Sequence, residues 1–190
     1  MDIFSVNKDF KRIIVIGGGF GGIEIVKRIN PKKYEVLLLD KQNYFTFQPL
    51  LYQVATGGLE PDSIAYPLRK IISKKENVVF RLAEVREIIT IAKKVETNIG
   101  LLPYDILIIA SGAMTNFFEM KETMENALSL KSVTDALNMR SFILQNFEAA
   151  LLLKDSAEQN RLLNFVIVGG GPTGVEISGS ALCHRGWRGR

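Results

Sequence analysis

The stretch KRIIVIGGGFGGIEIVKRINPKKYEVLLLD, residues 11–40, decides the fold. Its first six residues form a β-branched run that ends in glycines, and residues 34–39 form a second apolar run that ends in Asp40. The residues between these runs have helical spacing and stop at Asn30 and Pro31, where a helix should end. The order strand, turn, helix, strand predicts two parallel strands joined by a right-handed crossover.

The glycines between the first strand and the helix have the spacing G-x-G-x-x-G. Gly17 suits a tight turn, Gly19 lets the backbone approach a pyrophosphate, and Gly22 allows close packing of helix on strand. Asp40 ends the second strand, where a carboxylate can accept hydrogen bonds from a ribose diol and disfavours a 2′-phosphate. The pattern predicts a dinucleotide site, and the alternative is a purely structural glycine turn.

A second glycine pattern, at Gly169, Gly171 and Gly174, follows the apolar run 163–168, which we expect to be a strand. Its acidic residue would fall beyond the end of the chain. Two such units imply two dinucleotides, one that stays bound and one that exchanges. Because the sequence shows no catalytic nucleophile, metal cluster or dithiol motif, we predict flavin and nicotinamide electron transfer with the acceptor left open.

The middle of the chain is predicted to continue the first domain with a loop, a helix and further strands. An aromatic loop with several prolines and glycines spans 41–63, and a helix is expected from about Ser63 to Lys74. After a strand within 77–85, β-rich runs with short breaks predict an antiparallel meander. The meander should return to a buried central strand at Ile106–Ala110.

After an irregular stretch, residues 113–131, the sequence predicts a helix over 132–154 with Ser132 as its N-cap. The apolar positions of this helix predict a stripe that faces the core. They are Val133, Ala136, Leu137, Leu144, Phe147 and Leu151.

Composition excludes several classes of function. The 190 residues are 47% hydrophobic with a net charge of +4, and the charges of both signs are interspersed, so we expect a globular chain and no nucleic-acid partner. The single Cys183 and single His184 argue against a disulfide or a metal site. No apolar run reaches the roughly 18 residues that span a bilayer, and no secretory leader is evident. A cytoplasmic protein is the default expectation.

The motifs GGGFGG, LLLD, YDILIIASGA and IVGGGPTGVEISG occur in an order that resembles the flavoproteins with two dinucleotide-binding domains. Within that superfamily, NYFTFQPLLYQVATGGL and GPTGVEISG resemble the type II NADH:quinone oxidoreductases, the single-subunit respiratory NADH dehydrogenases. The resemblance covers residues 11 to about 182. It implies an α/β Rossmann-like FAD/NAD(P)-binding fold, a parallel sheet with an antiparallel meander. The FAD domain would span 1–115 and the start of a truncated NADH domain 116–190.

The resemblance also implies FAD in the first site and NADH in the second. Residues expected at the FAD are Gly17, Gly19, Phe20, Gly22, Asp40, Lys41, Thr46, Val85, Ala110, Ser111 and Gly112. Residues expected at NADH are Gly169, Gly171 and Gly174. Gln48, within the segment 46–49, and Thr56 would lie near the isoalloxazine and the quinone approach. Glu176 matches a glutamate at the nicotinamide–flavin junction, and its alternative is a first-turn helix acid favoured by the macrodipole. Glu176 and Gln48 are the candidate catalytic residues.

The implied activity is hydride transfer from NADH to flavin, followed by electron delivery to a quinone. The intact enzyme would be peripheral to the cytoplasmic face of the inner membrane, with a homo-oligomer left open. The alternatives are a flavin reductase with a soluble acceptor such as ferredoxin or oxygen, and an inactive nucleotide-binding fragment. The final residues CHRGWRGR depart from the helical pattern before them. We therefore expect a truncated or frame-shifted product without measurable turnover.

Overall fold

The computed structural model of the protein describes Ile3 and the ranges 10–30 and 32–184, with side chains up to residue 181. The chain divides into two compact units. Unit 1 comprises Met1–Thr46 and Tyr66–Ala113, and unit 2 comprises Phe47–Ala65 and Met114–Arg190. The expected domains, 1–115 and 116–190, stay a prediction.

The elements of unit 1 follow the order strand, helix, strand predicted from residues 11–40. They are β1 (Lys11–Ile16), α1 (Phe20–Arg28), β2 (Tyr34–Asp40), β3 (Tyr44–Thr46), α3 (Leu68–Ile72), β5 (Val78–Leu82), β6 (Val85–Ile89), β7 (Lys94–Thr97), β8 (Gly100–Pro103) and β9 (Ile106–Ile109). Strand β4 (Ala65–Pro67) lies at the boundary of the units.

Unit 2 is helical. Its elements are the 3₁₀ turns Gln48–Leu50 and Pro61–Ser63, α2 (Leu51–Ala55), α4 (Lys121–Asn126), α5 (Val133–Leu152), α6 (Ser156–Leu162) and α7 (Pro172–His184).

A four-stranded parallel sheet of order β5-β2-β1-β9 forms the centre of unit 1. Ile13 of β1 lies opposite Val36 on one side and Ile106 on the other. Because α1 connects two adjacent parallel strands, the predicted α/β class and strand–helix–strand order are confirmed. The meander is confirmed as well, since β6, β7 and β8 pair antiparallel in sequence order.

Alternate residues of β1 and β2 point to opposite faces of the sheet, and each face has its own core. On one face, Ile13 and Val15 pack with Ile23 and Val26 of α1 and with Leu68 of α3. The core of the other face contains residues of the strands and of the meander, namely Ile14, Leu37, Leu39, Val95 and Leu102. The sheet is therefore covered by helices on one face and by the meander on the other.

The helix expected over residues 63–74 is wrong in its first part. Residues 65–67 form β4, and the helix runs only from Leu68 to Ile72. The cause is Pro67, which disfavours helical backbone at the residue before it and so keeps Tyr66 extended. Pro67 itself is the N-cap residue of α3.

The expectation that Ile106–Ala110 is a buried central strand is also wrong. Strand β9 pairs with β1 and lies at the end of the strand order among the described residues. Ile109 is consequently 63% exposed. Apolar β-branched composition predicts a strand, but the number of neighbours that a strand has is a property of the whole sheet.

The N-cap of α5 is confirmed. Ser132 accepts a hydrogen bond from the Asp135 N–H at 3.1 Å, and the Asp135 carboxylate accepts one from the Ser132 N–H at 2.9 Å. This reciprocal pair is a capping box.

The apolar stripe expected to face the core is only partly correct. Ala136 is buried with Val133 packed nearby, whereas Leu137, Leu144 and Leu151 are exposed, Leu151 by 76%. Helix α5 contacts α2 and α6 within unit 2, and these short helices cover only part of its length.

The strand expected at 163–168 is not formed. Val166 and Val168 are 80% and 81% exposed, and no strand pairs with the run among the described residues. Phe165 is the exception, because its ring meets those of Phe142 and Phe147 edge to face, with centroids 6.4 and 6.1 Å away. A strand requires a neighbour for its backbone hydrogen bonds, which its own sequence cannot supply.

Across the described ranges, no helix combines the length and apolarity needed to cross a membrane. The same residues hold no group of three or more His, Cys, Asp and Glu side chains that could bind a metal ion.

A buried ion pair joins the first two strands and should contribute to the stability of the protein. Arg12 donates to Glu35 across β1 and β2, with nitrogen–oxygen distances of 2.7 and 2.8 Å, and both residues are buried. Glu35→Ala should lower the free energy of unfolding by about 3–5 kcal/mol, because a buried guanidinium loses its counterion. Urea denaturation measures this change.

The control is Glu24→Ala, which removes the exposed Arg28–Glu24 pair within α1. Its effect should stay below about 0.5 kcal/mol. Equal effects of the two substitutions would contradict the structural importance of the buried pair.

Candidate functional site

The first glycine loop lies where parallel strands of unit 1 end. The Gly17 N–H donates to the Leu39 carbonyl at 2.8 Å, and the Ala110 N–H donates to the Ile16 carbonyl at the same distance. The carboxyl ends of β1, β2 and β9 therefore meet at one edge of the sheet. Ligands of open α/β sheets bind at that edge.

Two glycines of this loop are required by the packing of the protein itself. Gly17 has φ +104°, and a Cβ there would overlap the Ala110 carbonyl. A Cβ at Gly22 would overlap the Gly17 carbonyl oxygen. These positions admit no side chain, as the spacing predicted.

Gly19 differs, because a Cβ built there has no heavy atom within 4 Å. The protein leaves space beside this glycine, at the N-cap of α1. The helix begins with the Ile23 N–H donating to the Gly19 carbonyl at 3.0 Å, and its first turn holds no acidic residue. An open space at the positive end of a helix fits the pyrophosphate of a dinucleotide.

Asp40 lies against the loop. Its Oδ2 accepts a hydrogen bond from the Gly18 N–H, and its Oδ1 accepts one from the Gln42 N–H at 2.8 Å. An ionised carboxylate has about four acceptor positions. The residue predicted to bind ribose is thus oriented by the backbone and keeps capacity for a diol.

Lys41 lies next to Asp40 in sequence and pairs with Glu84 at 2.8 Å. Hydrogen bonding and charge attraction from Lys41 lower the pKa of the Glu84 carboxyl. Val85, the next residue, packs beside the core on the meander face of the sheet. The predicted contacts of Lys41 and Val85 with a cofactor stay predictions.

Residues after β9 continue along the same edge. Ala110 borders Gly17 and lies 3.7 Å from a Cβ built at Gly21, and Ser111 follows it. Gly112 has φ +74° and open space around it.

Aromatic rings connect α1 to β3. Phe20, the first residue of α1, meets Phe45 edge to face with ring centroids 5.0 Å apart. Thr46 follows Phe45 at the end of β3. The structure thereby associates Phe20 and the strand that ends at Thr46, two of the predicted cofactor positions.

The second glycine loop, in unit 2, repeats the backbone geometry of the first. Gly169 has φ +110°, a Cβ at Gly174 would overlap the Gly169 carbonyl, and Gly171 has open space. The Val175 N–H donates to the Gly171 carbonyl at 3.1 Å, as Ile23 does to Gly19. The loop therefore has its predicted shape although the run before it is not a strand.

Glu176 is the fifth residue of α7, whose first turn contains no acidic residue. The alternative interpretation, a first-turn acid favoured by the helix macrodipole, is therefore wrong. The next residue, Ile177, is buried in the hydrophobic cluster of unit 2 with Leu51 and Val54 of α2. Helix α7 is thus fixed against α2.

The segment predicted to approach the quinone flanks α2. Gln48 is exposed in the preceding 3₁₀ turn. Thr56 is buried just after the helix, where its hydroxyl donates to the Tyr52 carbonyl at 2.9 Å. Unit 2 brings this segment and α7 into one cluster, while the predicted roles of Gln48, Thr56 and Glu176 stay predictions.

The glycine spacing did not predict one contact of the first loop, that between Gly18 and Leu68. Gly18, a variable position of the pattern, lies against the side chain of Leu68 from α3. No periodicity or motif in the sequence connects residues so far apart. The run of three consecutive glycines, Gly17 to Gly19, was the only local signal.

The chain belongs to the pyridine nucleotide-disulphide oxidoreductase family, whose model matches residues 11–186. It is 42% identical over 172 residues to type II NADH:quinone oxidoreductase NdhA of Mycobacterium tuberculosis, covering 88% of this chain and 37% of that protein. Identity to the external alternative NAD(P)H-ubiquinone oxidoreductase B2, mitochondrial, of Arabidopsis thaliana is 38%, covering 88% of this chain and 31% of that protein.

Among solved structures, NDH2 from Plasmodium falciparum in complex with NADH is similar with a TM-score of 0.82 and 32% identity. The match covers 90% of this chain and 36% of that one. The chain thus spans about a third of the length of these relatives. The resemblance to type II NADH:quinone oxidoreductases and the Rossmann-like fold class are confirmed.

The contrast between the glycines of the first loop is testable. Gly22→Ala should destabilise the protein by about 1–3 kcal/mol or more, because the new methyl overlaps backbone. Gly19→Ala should cost less than about 1 kcal/mol, the scale of an N-cap change into open space. Urea denaturation of both variants gives the comparison. Similar losses in both would show that space beside Gly19 is not open.

Proposed function

We propose that the protein is an FAD-dependent oxidoreductase that takes a hydride from NADH and delivers electrons to a quinone. The observation that supports this most is the pair of glycine loops with the same backbone geometry, each with open space at its middle glycine. Two dinucleotides can be accommodated in this way. The similarity to NADH:quinone oxidoreductases supports the identity of the donor and the acceptor.

Unit 1 would bind the FAD. The flavin supplies hydride acceptance and two-electron transfer when bound, and the protein supplies binding and orientation. Gly19 and the start of α1 would hold the pyrophosphate, and Asp40 would accept hydrogen bonds from the adenosine ribose. The remaining residues proposed to line the cofactor are Gly17, Phe20, Gly22, Lys41, Thr46, Val85, Ala110, Ser111 and Gly112.

Unit 2 would bind both exchanging substrates. Gly169, Gly171 and Gly174 would hold the NADH pyrophosphate, and Glu176 would position the nicotinamide. Gln48 would lie on the quinone approach. None of these side chains needs to form a covalent bond with a substrate, so each acts by positioning and by excluding water.

A quinone partner supports a location at a membrane surface. We propose that the protein works peripherally, on the cytoplasmic face of the inner membrane, as the resemblance implies. Self-association into a homo-oligomer is compatible with this arrangement.

A chimera tests the proposed activity. Residues 11–182 of this chain would replace the corresponding segment of the Mycobacterium tuberculosis NdhA, to which the chain is 42% identical. The chimera should bind FAD and oxidise NADH with a water-soluble quinone, because both loops retain their geometry. NADH absorbance measures the rate.

Two matched variants of the chimera serve as controls. Gly19→Val should abolish FAD retention, and Gly171→Val should preserve FAD but raise the KM for NADH, because each branched side chain fills one pyrophosphate space. A folded, FAD-loaded chimera that is reduced by NADH but reoxidised only by oxygen or ferredoxin would contradict the quinone assignment.

Asp40 can be tested in the 190-residue chain itself. Asp40→Ala should weaken FAD binding by about 1.5–3 kcal/mol, the range for a hydrogen bond to a charged group. Flavin fluorescence titration gives the dissociation constant. Glu87→Ala, an exposed change of equal charge on β6, should leave FAD binding unaltered. Equal affinities of the Asp40 and Glu87 variants would contradict a ribose contact.

A further inference from the structure

We propose that Leu68 is a positioning residue of the first dinucleotide site. Its side chain supports the peptide of Gly18, which in turn orients the Asp40 carboxylate for the ribose. The identity of the ligand, FAD, rests on the proposed function. The contact between Leu68 and Gly18 does not.

Leu68 is fixed independently of the loop. It is fully buried in the core between the sheet and α1, together with Ile13 and Val36. It is also the first residue of α3, and its N–H donates to the Asn43 carbonyl at 2.9 Å. The side chain is therefore held in place by the core and packs against the glycine loop.

Gly18 lies next to the Leu68 side chain. A Cβ at this position would be 2.7 Å from Leu68 Cδ1, 3.0 Å from Leu68 Cδ2 and 3.2 Å from Asp40 Oδ2. The first two distances involve a buried side chain that cannot swing into solvent. A methyl group at position 18 therefore forces the buried Leu68 side chain or the loop to shift, although the G-x-G-x-x-G pattern allows any residue there.

The second loop shows that loop shape alone does not cause the close contacts at Gly18. Gly170 occupies the equivalent position between Gly169 and Gly171, and a Cβ there meets nothing within 4 Å. The two loops share their backbone geometry, yet the first alone has a leucine and a carboxylate beside its central peptide among the described residues. The constraint at Gly18 thus comes from Leu68 and Asp40.

The position of the Gly18 peptide affects the proposed ligand through its hydrogen bond to Asp40. The Gly18 N–H donates to Asp40 Oδ2 while the Gln42 N–H holds Oδ1. Hydrogen bonds to an ionised acceptor are shorter and stronger than neutral ones. A displaced Gly18 peptide would release one oxygen of the carboxylate and let it rotate away from the ribose position.

Paired substitutions in the 190-residue chain test this. Gly18→Ala should lower the melting temperature and weaken FAD binding about tenfold or more, as overpacking against a fixed leucine predicts. Leu68→Ala alone should weaken FAD binding about threefold or more, because the Gly18 peptide loses its support. The same change removes the obstacle to a methyl group, so Gly18→Ala/Leu68→Ala should bind FAD within about threefold of Leu68→Ala alone. Gly179→Ala, a methyl added to open space within α7, is the control; it should leave FAD binding unchanged and should not lower the melting temperature, because alanine favours a helix over glycine.

A second comparison distinguishes a positioning effect on Asp40 from a general packing defect. If Gly18 acts through the carboxylate, Gly18→Ala should weaken FAD binding much less in an Asp40→Ala background than in the unaltered chain. Equal losses in both backgrounds would overturn the positioning role.

The inference is also overturned if Gly18→Ala binds FAD like the unaltered chain, or if Leu68→Ala does not relieve the defect of Gly18→Ala. Failure of the unaltered chain to bind FAD would instead contradict the proposed function and the ligand named here. In that case the melting temperatures of the single and double variants still decide whether Leu68 and Gly18 are in contact.

Discussion

The close approach of helix to strand at Gly22 is the constraint on which the first site depends. The carbonyl oxygen of Gly17 occupies the space where a side chain at residue 22 would lie. This contact lets α1 begin immediately at the edge of the sheet, and it leaves Gly19 with open space at the helix N-terminus. Gly17 in turn lies against Ala110, which joins β9 to the same edge. Binding space, helix dipole and strand ends coincide because three backbone segments touch without side chains between them.

The two loops have equal geometry but different support. In the first, Ala110, Leu68 and Asp40 surround the glycines, so the loop is held before any ligand arrives. In the second, the positions around Gly169, Gly170 and Gly171 are open, and the preceding valines are largely exposed. A preorganised site loses less conformational entropy on binding and holds its ligand more tightly. The first loop is therefore preorganised to a greater degree than the second.

Features fixed by local sterics could be predicted from the sequence, and features fixed by neighbours could not. The glycine positions, the Ser132 cap and the strand–helix–strand order depend on residues close together in the chain. The edge position of β9 and the unpaired run 163–168 depend on which strands lie alongside. Pro67 gave a usable local signal against the helix expected from residue 63. The contact between Leu68 and Gly18 had none, since it joins a helix to a loop fifty residues earlier.

The packing of α7 connects the second glycine loop to α2. Ile177 lies in the cluster that holds Leu51 and Val54 of α2, and Gln48 and Thr56 flank that helix. The helices next to the residues proposed for NADH and for the quinone, α7 and α2, therefore share one hydrophobic core. Because interiors are close-packed, a shift of α7 is transmitted to α2 rather than absorbed between them. Glu176, adjacent to Ile177, is consequently held in a fixed position relative to α2, as the positioning role proposed for it requires.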